Sequence, residues 1–323
     1  MARPLRIEYE GAVYHVTGRG NEQRKIFFSR KDYEKFKEYM ADAVEKFSLV
    51  LHSYVLMTNH YHLIIETPEK NLSKIMHHIN SSYTTYINIK RKRSGHLLQG
   101  RFKSIVVDKD SYLLELSRYL HLNPVRANMT QLPEDYRYSS YGSYTTASVD
   151  KLVTTTTILE MLASRPDVAR KKYRSFVESA LDEGIESPLK KVYGGIILGS
   201  ADFIKEALGK IEDERLEKEE TSNRRSLRAS LLPEEVVSTT CAHHGLLPEE
   251  ITSAGRNDVR KKCLYLLKKH TSAANREIGE LLGGMGAATV AKAYQRFAKE
   301  LADDARLKKE LGELQRKMSN VKG

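Results

Sequence analysis

Apolar residues recur with two different periods along the N-terminal part of the chain. Alternating or continuous apolar runs predict strands, because successive side chains of a strand point to opposite faces. Apolar residues three and four positions apart predict amphipathic helices. The predicted strands cover residues 12–17, 49–57, 60–67 and 104–108. The predicted helices run from Ser29 to Phe47, over residues 71–91, and from about Ser111 to Asn123.

The order of these elements is strand, helix, two strands, helix and strand, followed by one more helix. This order predicts an α+β fold of the ferredoxin-like type, an antiparallel sheet with helices packed on one face. The last helix is then an addition to that core. We expect Asp110 or Ser111 to cap its start. Pro124 predicts its end, because a residue that precedes proline avoids helical geometry.

The rest of the chain predicts helices and a charged connection. Residues 128–210 are typical of helices and loops without a chemical motif, and Glu212–Arg228 is a charge-dense linker or solvated helix. Helical patterns resume at about Leu231, and the tail over residues 303–317 predicts a solvated charged helix. We therefore predict three parts: an α+β domain over residues 1–145, a helical extension with the charged linker over 146–230, and an all-α domain over 231–323.

The composition favours a polyanionic partner. Lys and Arg number 53 against 42 Asp and Glu, which gives a net charge of +11 and a pI near 9.3. Nucleic acid is favoured over a membrane, because no basic helix carries an aromatic face. No apolar run approaches the roughly 18 residues of a membrane span, and the start lacks a signal-peptide pattern. With only Cys241 and Cys263, a disulfide scaffold is not expected. We expect a cytoplasmic, nucleoid-associated protein.

Two histidines at the start of the third predicted strand are the first candidate chemical groups. His60 and His62 are two positions apart, so their imidazoles leave the same face of the strand while Tyr61 points to the other. Two imidazoles side by side suit one divalent metal ion. Glu66 lies on the same strand face as a further candidate ligand. The alternative is that His60 and His62 are ordinary polar residues of a strand.

A tyrosine on the last predicted helix of this domain is the second candidate. Leu113, Leu116 and Leu120 form the apolar stripe of that helix, and three polar residues share the flank beside it: Tyr112, Tyr119 and Asn123. A phenol becomes a nucleophile when a metal stabilises the charge that develops on a phosphate. Two imidazoles and an amide oxygen, with DNA oxygens and water, suit Mg²⁺ or Mn²⁺. Spacing alone leaves Tyr112 open as the alternative to Tyr119.

Four segments of the N-terminal region resemble the REP-associated tyrosine transposases, which belong to the single-tyrosine, His-hydrophobe-His (HUH) transposases of bacterial insertion sequences. They are YHVTGRGN (residues 14–21), MTNHYH (57–62), GHLLQGRFKS (95–104) and YLHLNPVRA (119–127). The resemblance implies an HUH nuclease fold, metal binding by His60 and His62, and Tyr119 as nucleophile. Asn123 stands where the wider family has a polar metal ligand, usually glutamine. The implied reaction is cleavage and joining of single-stranded DNA near hairpins through a 5′-phosphotyrosine.

Basic residues near these motifs are candidates for DNA contact. Lysine and arginine meet phosphates, and Phe102 or a nearby tyrosine is expected to stack on an unpaired base. The alternative is a solvated surface loop. The candidates in this region are Arg19, Asn21, Arg93, Arg101, Lys103 and Arg126.

The C-terminal region predicts a helix-turn-helix. Apolar residues on both sides of Gly283-Gly284 suit two packed helices, and residues 260–267 and 275–297 resemble the DNA-binding domain of the replication initiator DnaA. Where that family opens its recognition helix with an acid, a histidine and threonines, this chain has MGAAT (residues 285–289). The small residues argue against recognition of a DnaA box. Candidates for phosphate or limited base contact are Thr289, Lys292 and Arg296. A packing or dimerisation module is the alternative.

These patterns together predict a bacterial transposase, a metal-dependent single-strand DNA nickase and ligase whose partners are DNA hairpins and, through the C-terminal domain, double-stranded DNA. Two alternatives remain at this point. One is a non-catalytic, domesticated DNA-binding regulator. The other is a two-histidine hydrolase that cleaves phosphodiesters with water. No membrane partner is expected, and either a monomer or a homodimer fits the sequence.

Overall fold

The computed structural model describes most of the chain in two compact units. One unit comprises residues 6–211, and the other comprises residues 1–5 together with 212–323. The predicted linker Glu212–Arg228 lies outside the described residues except for Thr221–Ser222. The described residues are 3–4, 6–147, 150–182, 186–210, 221–222, 232–253, 258–271 and 273–320.

The strands of the N-terminal unit have the predicted ferredoxin-like order. β3 and β4 form a hairpin across Thr58-Asn59, and β4 lies between β3 and β2. The pairs β3–β4, β4–β2 and β2–β5 are antiparallel, as predicted. The strands of the chain are β1 (Arg3–Pro4), β2 (Ala12–Arg19), β3 (Val50–Met57), β4 (His60–Thr67), β5 (Lys103–Val107), β6 (Ile197–Leu198) and β7 (Thr221–Ser222).

Helices cover both faces of this sheet. Tyr61 packs against Phe36 of α1 with ring centroids 5.0 Å apart and donates a hydrogen bond to Asn80 of α2, so α1 and α2 lie on the Tyr61 face. His62 contacts α3, which therefore covers the other face. The helices of this unit are α1 (Arg30–Phe47), α2 (Leu72–Lys90), α3 (Lys109–His121), α4 (Asn123–Arg126), α5 (Tyr141–Thr145), α6 (Thr156–Glu160), α7 (Pro166–Asp182) and α8 (Ala201–Gly209).

Three local features differ from the sequence-based expectation. The predicted helical extension contributes a fifth strand, since β6 pairs with β5 in parallel. Asp108, and not Asp110 or Ser111, caps α3: its carboxylate accepts from the Ser111 amide and from the Ser200 hydroxyl. α3 ends at His121, and Pro124 lies in the first turn of the short helix α4 rather than beyond a helix that reaches Asn123. Proline is tolerated there because first-turn amides have no helical acceptor.

A buried chain of hydrogen bonds fixes α3 against the extension. His121 Nδ1 lies 2.7 Å from the Tyr173 hydroxyl, which donates at 2.9 Å to Ser117 Oγ. Tyr173 therefore accepts from the imidazole N–H. His121 Nε2 lies 2.8 Å from Ser140 Oγ. His121 is neutral here, because complete burial lowers its pKa to about 3. Leu113, Leu116 and Leu120 are fully buried on the same helix, as the pattern predicted.

We expect acid to destabilise the N-terminal unit partly through His121. The folded state keeps this imidazole neutral down to pH about 3, whereas the unfolded chain protonates it below about 6.5. Between these two pH values the unfolded state therefore binds one more proton than the folded state. The contribution of His121 to the free energy of unfolding falls as the pH is lowered from about 6.5 towards 3, by up to about 1.4 kcal/mol per pH unit. Urea unfolding at several pH values measures this slope.

His121→Asn should be less stable at pH 7 and should have a shallower pH dependence than the wild type. His77→Ala is the matched control, because His77 is exposed on α2. It should keep the wild-type slope. Equal slopes for His121→Asn and the wild type would show that His121 does not carry the effect.

The C-terminal unit is an all-α bundle, as predicted, together with the two-residue pairing of β1 and β7. Gly283 and Gly284 adopt positive φ angles in the turn between α12 and α13, which glycine tolerates without strain. The tail differs from the prediction of a solvated helix, because one face of α14 is buried through Leu307, Leu311 and Leu314. The described helices of this unit are α9 (Pro233–His243), α10 (Pro248–Ser253), α11 (Asp258–His270), α12 (Asn275–Leu281), α13 (Ala287–Asp303) and α14 (Ala305–Asn320).

In the described part of the chain, no helix combines the length and the apolar character that crossing a bilayer requires.

Candidate metal and tyrosine site

The two histidines of β4 lie side by side on the sheet face that α3 covers. Their ring centroids are 5.1 Å apart, and each ring is partly or largely buried. Tyr61 between them points into the opposite core and is fully buried. Gly18 of β2 is paired with Tyr61 of β4, and a methyl group at Gly18 would lie 2.5 Å from the phenol ring. Glycine is therefore required beside the large residue that separates the histidines.

The hydrogen bonds of His60 determine which ring nitrogen is available. Its Nδ1 lies 2.6 Å from Asn59 Oδ1, while Asn59 Nδ2 donates to the Gln23 carbonyl at 3.0 Å. The amide is thus oriented with its oxygen towards His60, and that oxygen only accepts. Nδ1 therefore carries the proton, and the Nε2 lone pair remains for a metal ion.

His15 lies against Nδ1 of His62 as Asn59 lies against Nδ1 of His60, and the residue patterns did not predict this contact. His15 Nε2 lies 2.9 Å from His62 Nδ1, and both side chains are buried. If His62 donates this bond, its Nε2 keeps a lone pair; if His15 donates, His62 Nε2 carries the proton and is no longer a ligand. Metal binding by Nε2 therefore requires His15 as the acceptor. His15 lies two residues before Thr17, and only the pairing of Thr17 with His62 in the folded sheet brings the two imidazoles together.

Both histidines of β4 are held in the neutral form that ligates metals. Burial, followed by the neighbouring His15 and His60, lowers the pKa of His62 well below its usual value. Burial and then the Arg19 guanidinium lower the pKa of His60. A metal ion bound by imidazole competes with a proton, so these lowered pKa values favour the metal at neutral pH. The donor set therefore fits a divalent cation.

Tyr119 of α3 reaches this pair of histidines. Its ring centroid lies 6.4 Å from that of His62, with the two planes at 86°. Tyr112 is seven residues earlier on the helix, about 10 Å along its axis, so the structure distinguishes the two tyrosines that spacing left open. The Arg126 guanidinium carbon lies 5.2 Å from the centre of the Tyr119 ring. The guanidinium therefore puts a positive charge beside the phenol of Tyr119.

Asn123 is one turn beyond Tyr119, but its hydrogen bonds go to the helix. Its Nδ2 donates to the Tyr119 carbonyl at 2.9 Å. That bond satisfies a carbonyl at the end of α3 and leaves Oδ1 as the acceptor of the side chain. A role for Asn123 as metal ligand stays a prediction.

Part of the predicted DNA-binding set surrounds the histidines. Arg19 pairs with His60 across the sheet, and its carbonyl accepts from the Gln99 amide at 2.8 Å. The Asn21 amide donates to the Leu97 carbonyl at 3.0 Å, which joins the basic loop to the end of β2. Lys103 pairs with Thr17, which itself pairs with His62, so Lys103 is exposed on the histidine face two strands away.

Other sequence-based candidates lie elsewhere. Phe102 is only 9% exposed and is covered by the Arg6 guanidinium at 3.6 Å, so it is unavailable for base stacking. Arg101 lines a groove with Arg6 along α2, on the opposite side of the sheet. Arg93 donates to the His96 carbonyl within the exposed loop. Glu66 is paired with Lys109 and His52, about 20 Å along the strand from His60.

The predicted DNA-binding residues of the C-terminal unit share one exposed face of α13. Thr289, Lys292 and Arg296 are exposed at helical spacing. Val290 and Phe297 are buried on the other side of the helix, against the core.

The contact between His15 and His62 carries a prediction. His15→Ala removes the acceptor that keeps the His62 Nε2 lone pair available, and changes of this kind typically weaken metal binding by about 10- to 100-fold. We expect metal affinity, measured by calorimetry, to fall by that factor and metal-dependent DNA cleavage to recover at higher metal concentration. His52→Ala, another buried histidine on β3, is the control. Unchanged metal affinity in His15→Ala would contradict the assignment.

Part of the N-terminal unit matches a known protein family. Residues 8–123 match the family described as "Transposase IS200 like". The match contains strands β2 to β5, both histidines and Tyr119, and it ends at Asn123. The resemblance of the N-terminal region to these transposases is therefore confirmed.

Two of the curated proteins with similarity to part of the chain are replication initiators. Chromosomal replication initiator protein DnaA of Herpetosiphon aurantiacus is 31% identical over 97 residues, 29% of this chain and 21% of that protein. DnaA of Thermus thermophilus is 38% identical over 78 residues, 23% of this chain and 18% of that protein. The chain thus spans about a fifth of the length of these curated relatives. The predicted DnaA resemblance is confirmed.

Among solved structures, the chain is similar to a REP-associated tyrosine transposase bound to a REP hairpin. The TM-score is 0.41 at 15% identity, and the similarity covers 48% of this chain and 91% of that one.

Proposed function

We propose that the protein is a metal-dependent single-strand DNA endonuclease and strand transferase that forms a 5′-phosphotyrosine at hairpin-flanked sites. The observation that carries the proposal is the juxtaposition of Tyr119 and His62, 6.4 Å apart between ring centroids, beside His60. These residues come from two elements that are more than 50 positions apart in the sequence. The IS200-like family match of residues 8–123 supports a transposase reaction.

In the proposed reaction, Tyr119 is the nucleophile. The phenol gives up its proton to solvent, its oxygen attacks the phosphorus and an O–P bond forms. The bond from phosphorus to the 3′ oxygen breaks, and the 3′ oxygen takes a proton from solvent, which leaves a 3′ hydroxyl and a 5′ phosphate on the tyrosine. One phosphoester replaces another, so a 3′ hydroxyl of a second strand can reverse the step and join DNA without ATP. His60 and His62, with Asn123 as a further candidate, would hold Mg²⁺ or Mn²⁺, and the bound ion would stabilise the charge that develops on the phosphate.

Arginine and lysine side chains around the site orient the DNA. The position of Arg126 beside the Tyr119 ring supports a contact with the scissile phosphate, and Arg19 lies beside His60. Lys103 extends the positive charge across the sheet. Single-stranded DNA follows such tracks of positive charge through its backbone, independently of base sequence.

The C-terminal unit adds a candidate contact with double-stranded DNA. The exposed face of α13 presents Thr289, Lys292 and Arg296, the residue types that contact phosphates from a recognition helix. The similarity to DnaA supports this assignment.

A cleavage assay tests the proposal against its two alternatives. Purified protein is incubated with 5′- or 3′-labelled hairpin-flanked single strands and Mn²⁺, and the products are separated under denaturing conditions. We expect a protein-linked product that retains the 3′-terminal label and depends on the metal. DNA binding without cleavage would identify a non-catalytic regulator. Nicks without a protein-linked product would identify hydrolysis by water.

A further inference from the structure

A second cluster of metal-ligating side chains lies in the C-terminal unit. Ligand atoms of His243, His244 and Glu310 all lie within 4.8 Å of one another. Adjacent histidines within a helix diverge by 100°, and such a pair is a poor chelator. α9, however, ends at His243, and His244 is its C-cap with φ −100° and ψ 6°. The change of backbone direction brings the two rings to a centroid distance of 4.9 Å.

One imidazole nitrogen in this cluster lacks a conventional partner. His244 Nε2 is buried and has no hydrogen-bond partner among the described residues. It lies 3.6 Å from Glu310 Oε1, too far for a normal hydrogen bond. His244 Nε2 and Glu310 Oε1 are therefore arranged as two ligands of one cation would be, close together but not hydrogen-bonded.

Two lysines already place positive charge at the cluster. Lys317 Nζ donates to His243 Nδ1 at 2.9 Å, and Lys262 Nζ lies 2.6 Å from Glu310 Oε1. Each ammonium group thus lies beside a side chain that a bound metal ion would share. Lys262 has a second carboxylate, Asp258, at 3.3 Å. It therefore keeps an acidic partner when Glu310 turns towards another cation.

We propose that His243, His244 and Glu310 bind one divalent transition-metal ion, with Zn²⁺ as the best chemical match. Two imidazoles and one carboxylate, completed by water, form a common tetrahedral zinc set. Glu310 lies on α14 and both histidines lie at the end of α9, so the metal would join these two helices. Because the unfolded chain lacks this arrangement, metal binding stabilises the folded unit.

The test uses the full chain with His60→Ala and His62→Ala, which removes the N-terminal metal ligands. Zn²⁺ titration by calorimetry and Co²⁺ absorption spectra measure stoichiometry and geometry. We expect one equivalent of Zn²⁺ per chain. Adding His244→Ala or Glu310→Gln should weaken binding by at least about 10- to 100-fold. The added His77→Ala control, an exposed histidine beside His78 on α2, should leave binding unchanged.

A variant that should bind Zn²⁺ more tightly distinguishes loss of a ligand from misfolding, because a misfolded protein would not gain affinity. Lys317→Gln removes the ammonium beside His243, and relief of charge repulsion should strengthen Zn²⁺ binding roughly tenfold. Absence of Zn²⁺ uptake at micromolar concentrations would overturn the proposal, as would uptake that neither ligand substitution weakens or unchanged affinity in Lys317→Gln. Since this background lacks both N-terminal histidines, its outcome is independent of the proposed nuclease reaction.

Discussion

Replacement of Tyr119 by phenylalanine should abolish the covalent protein–DNA product and reduce cleavage by at least roughly 10³-fold, as expected when a nucleophile is removed. The phenyl ring keeps its contact with His62 and with the Arg126 guanidinium, so the fold and DNA binding should be retained. Denaturing gels measure the adduct, and fluorescence anisotropy measures binding of the same oligonucleotide.

Tyr112→Phe is the matched control for this experiment. Tyr112 lies on the same helix and is similarly half-exposed, but is about 10 Å further from the histidines along the axis. It should form the adduct at the wild-type rate. An adduct that survives in Tyr119→Phe and disappears in Tyr112→Phe would reassign the nucleophile.

Replacement of His62 by alanine should remove metal-dependent cleavage. Loss of one imidazole takes away a metal ligand and about 3 kcal/mol of charge stabilisation in the transition state, which corresponds to a loss of at least roughly 100-fold. Unlike His15→Ala, this variant should not recover at higher metal concentration, because the ligand itself is absent. Initial cleavage rates across a Mn²⁺ titration distinguish the two responses.

Thr17→Val is the control for His62→Ala. Thr17 lies on β2 directly opposite His62 of β4, but it has no imidazole. It should retain metal-dependent cleavage. If His62→Ala cleaves at the wild-type rate while its circular dichroism is unchanged, the metal site is not built on this residue.

Residue patterns predicted the framework of the site because they depend on local chemistry. Alternation predicted His60 and His62 on one face of a strand and Tyr61 on the other, because the pleat of an extended backbone turns successive side chains to opposite faces. Helical spacing predicted the buried stripe Leu113, Leu116 and Leu120, which the structure confirms.

Contacts between elements were beyond the reach of such patterns. His15 follows ordinary strand alternation, and only the pairing of β2 with β4 brings it to 2.9 Å from His62. The burial of Phe102 depends on Arg6, 96 residues earlier, which covers its ring. The choice between Tyr112 and Tyr119 depends on which turn of α3 passes the histidine strand.

The C-terminal unit shows the same limit. The helical period correctly predicted its helices, but the charge of residues 303–317 concealed the apolar face that buries Leu311 and Leu314. The convergence of His243 and His244 depends on the end of a helix between them, which residue spacing alone does not locate.

The sequence by itself determined the order of strands and helices from β2 to α3, the basic character of the chain and the residues able to act as ligands and nucleophile, because each depends on local periodicity or side-chain chemistry. The tertiary structure alone decided which of these residues meet. Meeting depends on strand register, on the face a helix presents and on the points where helices end, and these follow from packing among segments far apart in the chain.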